Sequence, residues 1–164
     1  MKPKYLILSI VTALVLLLDQ GTKLIVDRTM ALHDSITIFQ NFFHLTYIRN
    51  KGAAFGMLAS SPYRLPFFLI ISVVAIAVII AVYRRLHDDQ WTAAFALSLI
   101  FSGAIGNLID RFRLGEVIDF IDVHWYEHHW PAFNIADSAI CVGVFLLAID
   151  MIVEERRLKA KNKG

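Results

Sequence analysis

Two carboxylates stand among residues that make charge costly. Asp119 sits in Val117-Ile118-Asp119-Phe120-Ile121, and Asp137 closes Phe133-Asn134-Ile135-Ala136-Asp137. An acidic side chain with apolar neighbours in a poorly hydrated place is pushed toward its protonated form. Two such groups close together resist ionising at once, so one proton is shared near neutral pH. The ionised member can take a proton from water while the protonated member donates to a carbonyl oxygen, the minimum equipment for hydrolysing a peptide bond without a metal. The residues alone leave simpler roles open. Asp119 would serve as an exposed loop carboxylate, and Asn134 and Asp137, three apart, would cap a helix by satisfying its first free N–H groups and its dipole.

Other polar residues enter apolar surroundings nearby. Asn107, Asp110 and Arg111 have the spacing i, i+3, i+4 of one helix face, where the Asp and the Arg could neutralise each other. The same trio would also serve as an interfacial ion pair at a helix end. Asp19 and Lys23, four apart, share a face of an earlier apolar segment and could pair. Asn50-Lys-Gly-Ala-Ala-Phe-Gly56 has the small residues that permit close backbone approach. Asp122 reads as a solvated carboxylate. His124, His128 and His129 with Glu127 match no strong zinc spacing, so no metal ligand is assigned. Cys141, one helical turn past Asp137, has no His partner in its segment and reads as a small packing residue. As the only cysteine it excludes an internal disulfide and any Cys-based zinc site.

The elements that must position these groups are set by the composition. The 164 residues are 57% hydrophobic and 18% charged, with mean hydropathy +0.59, more apolar and less charged than a soluble domain. The net charge of +2 is too small to suggest nucleic acid as a partner. Four apolar stretches are long enough to span a bilayer: about 5–26, 66–83, 91–109 and 132–153, the last primed by Pro131. The first starts like a signal peptide but lacks a small-residue cleavage site, and is expected to be retained. The first connection, 27–65, contains Ile36–Phe39 and Phe42–Ile48, rich in β-branched and aromatic residues and expected as short strands. The second, 110–131, contains an expected strand at Val117–Asp122. Trp91, Trp125, Tyr126 and Trp130 suit membrane interfaces. The expectation is one integral-membrane domain over 1–164, with a tail at 154–164.

Orientation follows the basic residues. Lys2, Lys4, Arg84, Arg85, Arg156, Arg157, Lys159, Lys161 and Lys163 fall in about 22 positions on one side, against Arg28, Arg49, Lys51, Arg64, Arg111 and Arg113 in roughly 60 on the other. Both termini are therefore expected in the cytoplasm, and both carboxylates at the outer face. A metallopeptidase using the histidines, or a proton- or ion-coupled carrier using the intramembrane charges, are competing chemistries. The crowding of polar residues at one membrane face counts against the carrier.

Five motifs in order resemble the lipoprotein signal peptidase family, also called signal peptidase II. They are Asp19 with Lys23, Asn50 to Gly56, Gly106-Asn107-Leu-Ile-Asp110-Arg111, Val117 to Ile121, and Phe133 to Asp137. The resemblance covers nearly the whole chain. It implies a mainly α membrane protein of four transmembrane helices with a small extracytoplasmic β-cradle and a short outer helix. It implies an aspartyl endopeptidase of the bacterial inner membrane that removes signal peptides from diacylglyceryl-modified prolipoproteins, cutting just before the lipid-modified Cys. Carried over, the catalytic pair is Asp119 and Asp137. Asp19, Lys23, Asn50, Gly56, Asn107, Asp110, Arg111, Asn134 and Ala136 are supporting or substrate-positioning positions. No cofactor is implied. The expected partners are the prolipoprotein, membrane lipids and the cyclic peptide inhibitor globomycin, with the chain acting as a monomer.

Overall fold

The computed structural model describes residues 2–52 and 61–161. Four helices carry the four apolar stretches: α1 (Pro3–Thr29), α2 (Arg64–Arg85), α3 (Trp91–Leu114) and α4 (Ile135–Lys161). All four are long and apolar enough to cross a membrane. Four strands, β1 (Ser35–Phe39), β2 (Phe43–Asn50), β3 (Val117–Trp125) and β4 (His128–His129), pair antiparallel in chain order. Gly56 lies outside the described residues, and no short outer helix occurs among those described.

The burial pattern is inverted relative to a soluble bundle. Leu17, Ile25, Ile70, Val74 and Phe145 point outward and are exposed, whereas Asp19, Lys23, Asn107 and Asp110 are buried between helices. Apolar surface turned outward along whole helices suits contact with lipid, which offers no penalty to it, and leaves polar groups to glue the interior. Helix α3 is the hub, packed against α1, α2 and α4. Close approach is possible because of small residues. A Cβ on Gly106 would stand 2.6 Å from the Asp19 carboxylate and 3.2 Å from the Ala136 Cβ. Pro3 starts α1 at a position where a missing N–H costs nothing.

The helices run past the expected spans. Helix α3 continues beyond residue 109 to Leu114 and ends on Gly115, whose φ of 72° is the left-handed cap that glycine adopts without strain. Asp110 and Arg111 are therefore helical and not part of a connection. At the other end α4 begins at Ile135, because Phe133 pairs with Ile121 as an extra bridge to the sheet and keeps residues 131–134 extended. It then continues through most of the expected tail to Lys161.

The sheet is anchored to the C-terminal end of α1. Tyr47, Ile118 and Phe120 pack with Val26, and the Tyr47 hydroxyl donates to Asp27, which also accepts from Arg49 at 2.9 Å. Burial, and next its hydrogen bond to Asp27, raise the Tyr47 phenol above its usual range, which keeps it a donor. Between Leu45 and Ile48 strand β2 carries a bulge: Leu45 faces Ile121, but Ile48 faces Asp119. Two residues of β2, Thr46 and Tyr47, thus oppose Phe120 alone. A one-residue offset turns every later side chain to the other face of the sheet. Asn50, paired with Val117, consequently shares a face with Asp119.

Candidate active site

Asp119 projects from β3 and is 2% exposed. Its Oδ2 accepts from the Asn50 amide at 2.9 Å, and its Oδ1 accepts from the Asn134 amide at 2.7 Å. Burial, and next the negative charge of Asp137, push the Asp119 carboxyl up to about 7, against which the two amide donors pull. Asp137 lies in the first turn of α4. The Asn107 amide donates to its Oδ1 at 2.7 Å, and the Asn134 backbone N–H reaches its Oδ2 at 3.3 Å.

Asn134 joins the two carboxyls. Its Oδ1 accepts the Asp137 N–H at 2.9 Å, so Asn134 and Asp137 cap α4 reciprocally while the Asn134 amide holds Asp119. Helix capping and a two-carboxylate site, alternatives on the sequence, are here the same set of contacts. Both carboxyls line a cavity of about 510 Å³. Asn50, Asn107 and Arg111 line it together with the apolar side chains of Val117, Trp130, Phe133 and Ile140. This is the make-up of a ligand site: apolar walls with a few convergent polar groups.

Behind the cavity lies a buried polar cluster with Lys23 at its centre. The ammonium donates to Asp19 at 2.9 Å and to the Asn107 side-chain carbonyl at 3.1 Å, and it forms an ion pair with Asp110 at 2.9 Å. Asp110 also accepts the Ile118 N–H at 3.3 Å, tying the start of β3 to α3. Asp19 also accepts the Ala136 N–H at 2.9 Å, tying α4 to α1. The positions of both strand and helix that carry Asp119 and Asp137 are thus referred to one buried cation.

Several expectations are corrected. Asp110 and Arg111 do not neutralise each other, because successive helix residues point about 100° apart. Asp110 turns to Lys23 of α1, while Arg111 donates to the carbonyls of Asn107 (3.3 Å) and Gly52 (3.5 Å) and lies over the Phe68 ring at 5.1 Å. Asp122 is not a freely solvated carboxylate; it accepts from His129 at 2.9 Å on the opposite face of β3 from Asp119. Cys141 is exposed and lines the cavity, where a packing role was expected. None of His124, His128 and His129 lines the cavity.

One contributor was missed. Gln20 sits among Asp19 (3.0 Å), Asp110 (3.0 Å) and the Gly106 carbonyl (3.2 Å). Its signal in the sequence is an amide beside Asp19 inside an otherwise apolar segment.

Comparison with known proteins gives the family and the fold. The family model described as signal peptidase (SPase) II matches residues 11–153. The chain is 62% identical over 162 residues to the lipoprotein signal peptidase of Geobacter metallireducens, covering 99% of this chain and 100% of that one. It is 63% identical over 157 residues to the protein of the same name from Geobacter sulfurreducens, covering 96% and 98%. A bacterial membrane enzyme solved by the in meso method at 2.3 Å superposes with a TM-score of 0.82 at 35% identity, covering 90% of this chain and 88% of that one.

Proposed function

This chain belongs to the signal peptidase II family, and from that premise we propose that it is an aspartyl endopeptidase that removes signal peptides from diacylglyceryl-modified prolipoproteins, cutting just before the lipid-modified Cys. The observation that carries the proposal is the joint placement of Asp119 and Asp137 in one cavity, linked through Asn134.

The two carboxyls share one proton at neutral pH. The ionised member takes a proton from a water molecule as its oxygen attacks the scissile carbonyl carbon, and the protonated member donates to the carbonyl oxygen. The resulting tetrahedral diol collapses, with one carboxyl returning a proton to the departing amine of the Cys and the other recovering a proton from the diol. The dyad ends as it began. Asn50, Asn107 and Asn134 fix the carboxyls, and Lys23 with Asp19 and Asp110 fixes the elements that carry them. Arg111, at the cavity beside the Gly52 carbonyl, is suited to hold substrate backbone. The apolar lining suits the lipid-bearing end of the substrate, which would enter sideways from the bilayer.

In this proposal the chain is a multi-pass monomer of the bacterial inner membrane with both termini in the cytoplasm. The site then opens at the outer face, where water is available. Neither metal nor cofactor takes part, and globomycin occupies the cavity as an inhibitor.

The test is cleavage of a diacylglyceryl-prolipoprotein by purified protein. Asp119→Asn and Asp137→Asn should each lower turnover by about 100- to 10,000-fold, the worth of a general acid or base, with unchanged helical circular dichroism. Full activity in either variant overturns the aspartyl mechanism. Activity should persist in EDTA and after replacement of His124, His128 and His129 by Ala.

A further inference from the structure

Four side chains on the far face of the sheet form a cluster that peptidase chemistry does not use. His44 of β2 faces Asp122 of β3, and His124 of β3 faces His129 of β4, so all four project on one side, opposite Asp119. His124 is 6% exposed and its ring stacks on that of His129, with centroids 4.4 Å apart and planes 6° apart.

The hydrogen bonds fix where the ring protons are. The His124 Nδ1 is 2.8 Å from the Tyr126 carbonyl, which can only accept, so Nδ1 carries the proton and Nε2 is a bare lone pair. Tyr126, at φ 52°, begins the tight turn that presents that carbonyl. The His129 Nδ1 is held in the same way by Asp122 at 2.9 Å. The His44 Nδ1 is 3.8 Å from Asp122, beyond hydrogen-bond reach, and its Nε2 donates to the bare His124 Nε2 at 3.2 Å, so an ion bound between the two rings takes the place of that one proton. Two imidazole nitrogens bound tetrahedrally to one ion at about 2.0–2.1 Å stand about 3.3 Å apart. Imidazoles whose Nδ1 protons go to a carbonyl or a carboxylate, leaving Nε2 outward, form the usual second shell of such an ion.

We infer that His44 and His124 form a binding site for a divalent transition-metal ion of the Zn²⁺, Cu²⁺ or Ni²⁺ class, on the face of the sheet away from the peptidase cavity. Imidazole pairs suit these ions. Asp122 holds His129, whose ring stacks on that of His124. Among the described residues no group of three or more His, Cys, Asp or Glu is arranged to hold a metal, so water completes the coordination and the ion is exchangeable. Bound there, it bridges β2 to β3 across the bulged pair of strands that presents Asn50 to Asp119.

The test is titration of untagged, detergent-solubilised protein with Cu²⁺, followed by calorimetry and by electron paramagnetic resonance. One Cu²⁺ per chain with nitrogen hyperfine splitting is expected, and Zn²⁺ should compete for it and raise the thermal midpoint. His44→Gln and His124→Gln should each lose at least about tenfold in affinity. His33→Gln, outside the cluster, should bind as the parent does. Should either glutamine variant fail to fold, the other decides the matter. No binding by the parent chain, or equal binding by the folded variants, overturns the site. Because binding and not cleavage is read, this outcome is independent of the peptidase assay.

Discussion

The amide of Asn50 donates to the carboxylate of Asp119 at 2.9 Å, and it does so because strand β2 has one residue more than β3 between their pairings. In the register that holds from Phe43 to Leu45, Asn50 would fall opposite residue 116 and turn to the other face. The bulge at Thr46 and Tyr47 is therefore part of the site, although neither residue touches the cavity.

The Asn50 amide favours the ionised form of Asp119, which burial and Asp137 otherwise oppose, leaving that carboxyl at about 7. The rate of cleavage is expected to fall as pH rises through about 7, where the shared proton is lost. Asn50→Ala removes a donor to the charged form, so the carboxyl rises further. A hydrogen bond to a charged group is worth about 1.5–3 kcal/mol and 1.36 kcal/mol corresponds to one pH unit, so the alkaline limb should move up by about one to two units. A pH–rate profile of both proteins checks this; a shift to lower pH contradicts it.

Asn134→Ser separates the helix cap from the dyad. Serine caps about as well as asparagine, but it has no amide to hold Asp119 and Asn107. The thermal midpoint should change little while turnover drops at least tenfold. A proportional loss of both would indicate that Asn134 serves only the fold.

Lys23→Met leaves Asp19 and Asp110 buried, with their shared cation gone. Breaking a buried pair by removing one partner costs about 3–5 kcal/mol, and the variant should unfold at markedly lower temperature in detergent. The triple change Lys23→Met, Asp19→Asn, Asp110→Asn should recover part of that loss, since no lone charge remains. Thermal unfolding followed by tryptophan fluorescence compares the two.

Gly106→Ala forces a methyl group to within 2.6 Å of the Asp19 carboxylate and 3.2 Å of Ala136. Overpacking of this kind costs about 1–3 kcal/mol and should lower both stability and turnover. Gly21→Ala, on α1 with nothing within 4 Å of the added atom, should instead be neutral or gain up to about 1 kcal/mol from better helix propensity. Equal effects of the two changes would show that the α1–α3–α4 contact tolerates separation.

Much of this was legible in the chain because the signals are local. Long apolar runs mark helices, β-branched and aromatic residues mark the strands, and the Asp19–Lys23 spacing places two charges on one face. Asp110 and Arg111 misled because spacing states which residues share a helix face, not which neighbour each one meets. Asp110 meets Lys23 from a helix some ninety residues earlier, and Arg111 meets the cavity.

The sequence by itself determined the membrane-spanning helices, the short strands and the two carboxylates embedded among apolar residues, since periodicity and composition act over a few residues at a time. Only the tertiary structure decided that Asn134 caps α4 and holds Asp119 at once, that a bulge turns Asn50 inward, and that His44 meets His124 across eighty positions of chain. Those relations depend on register and on the packing of α1, α3 and α4 around one buried lysine. A single residue of slippage or a single methyl group would change them, and no local pattern in the chain records either.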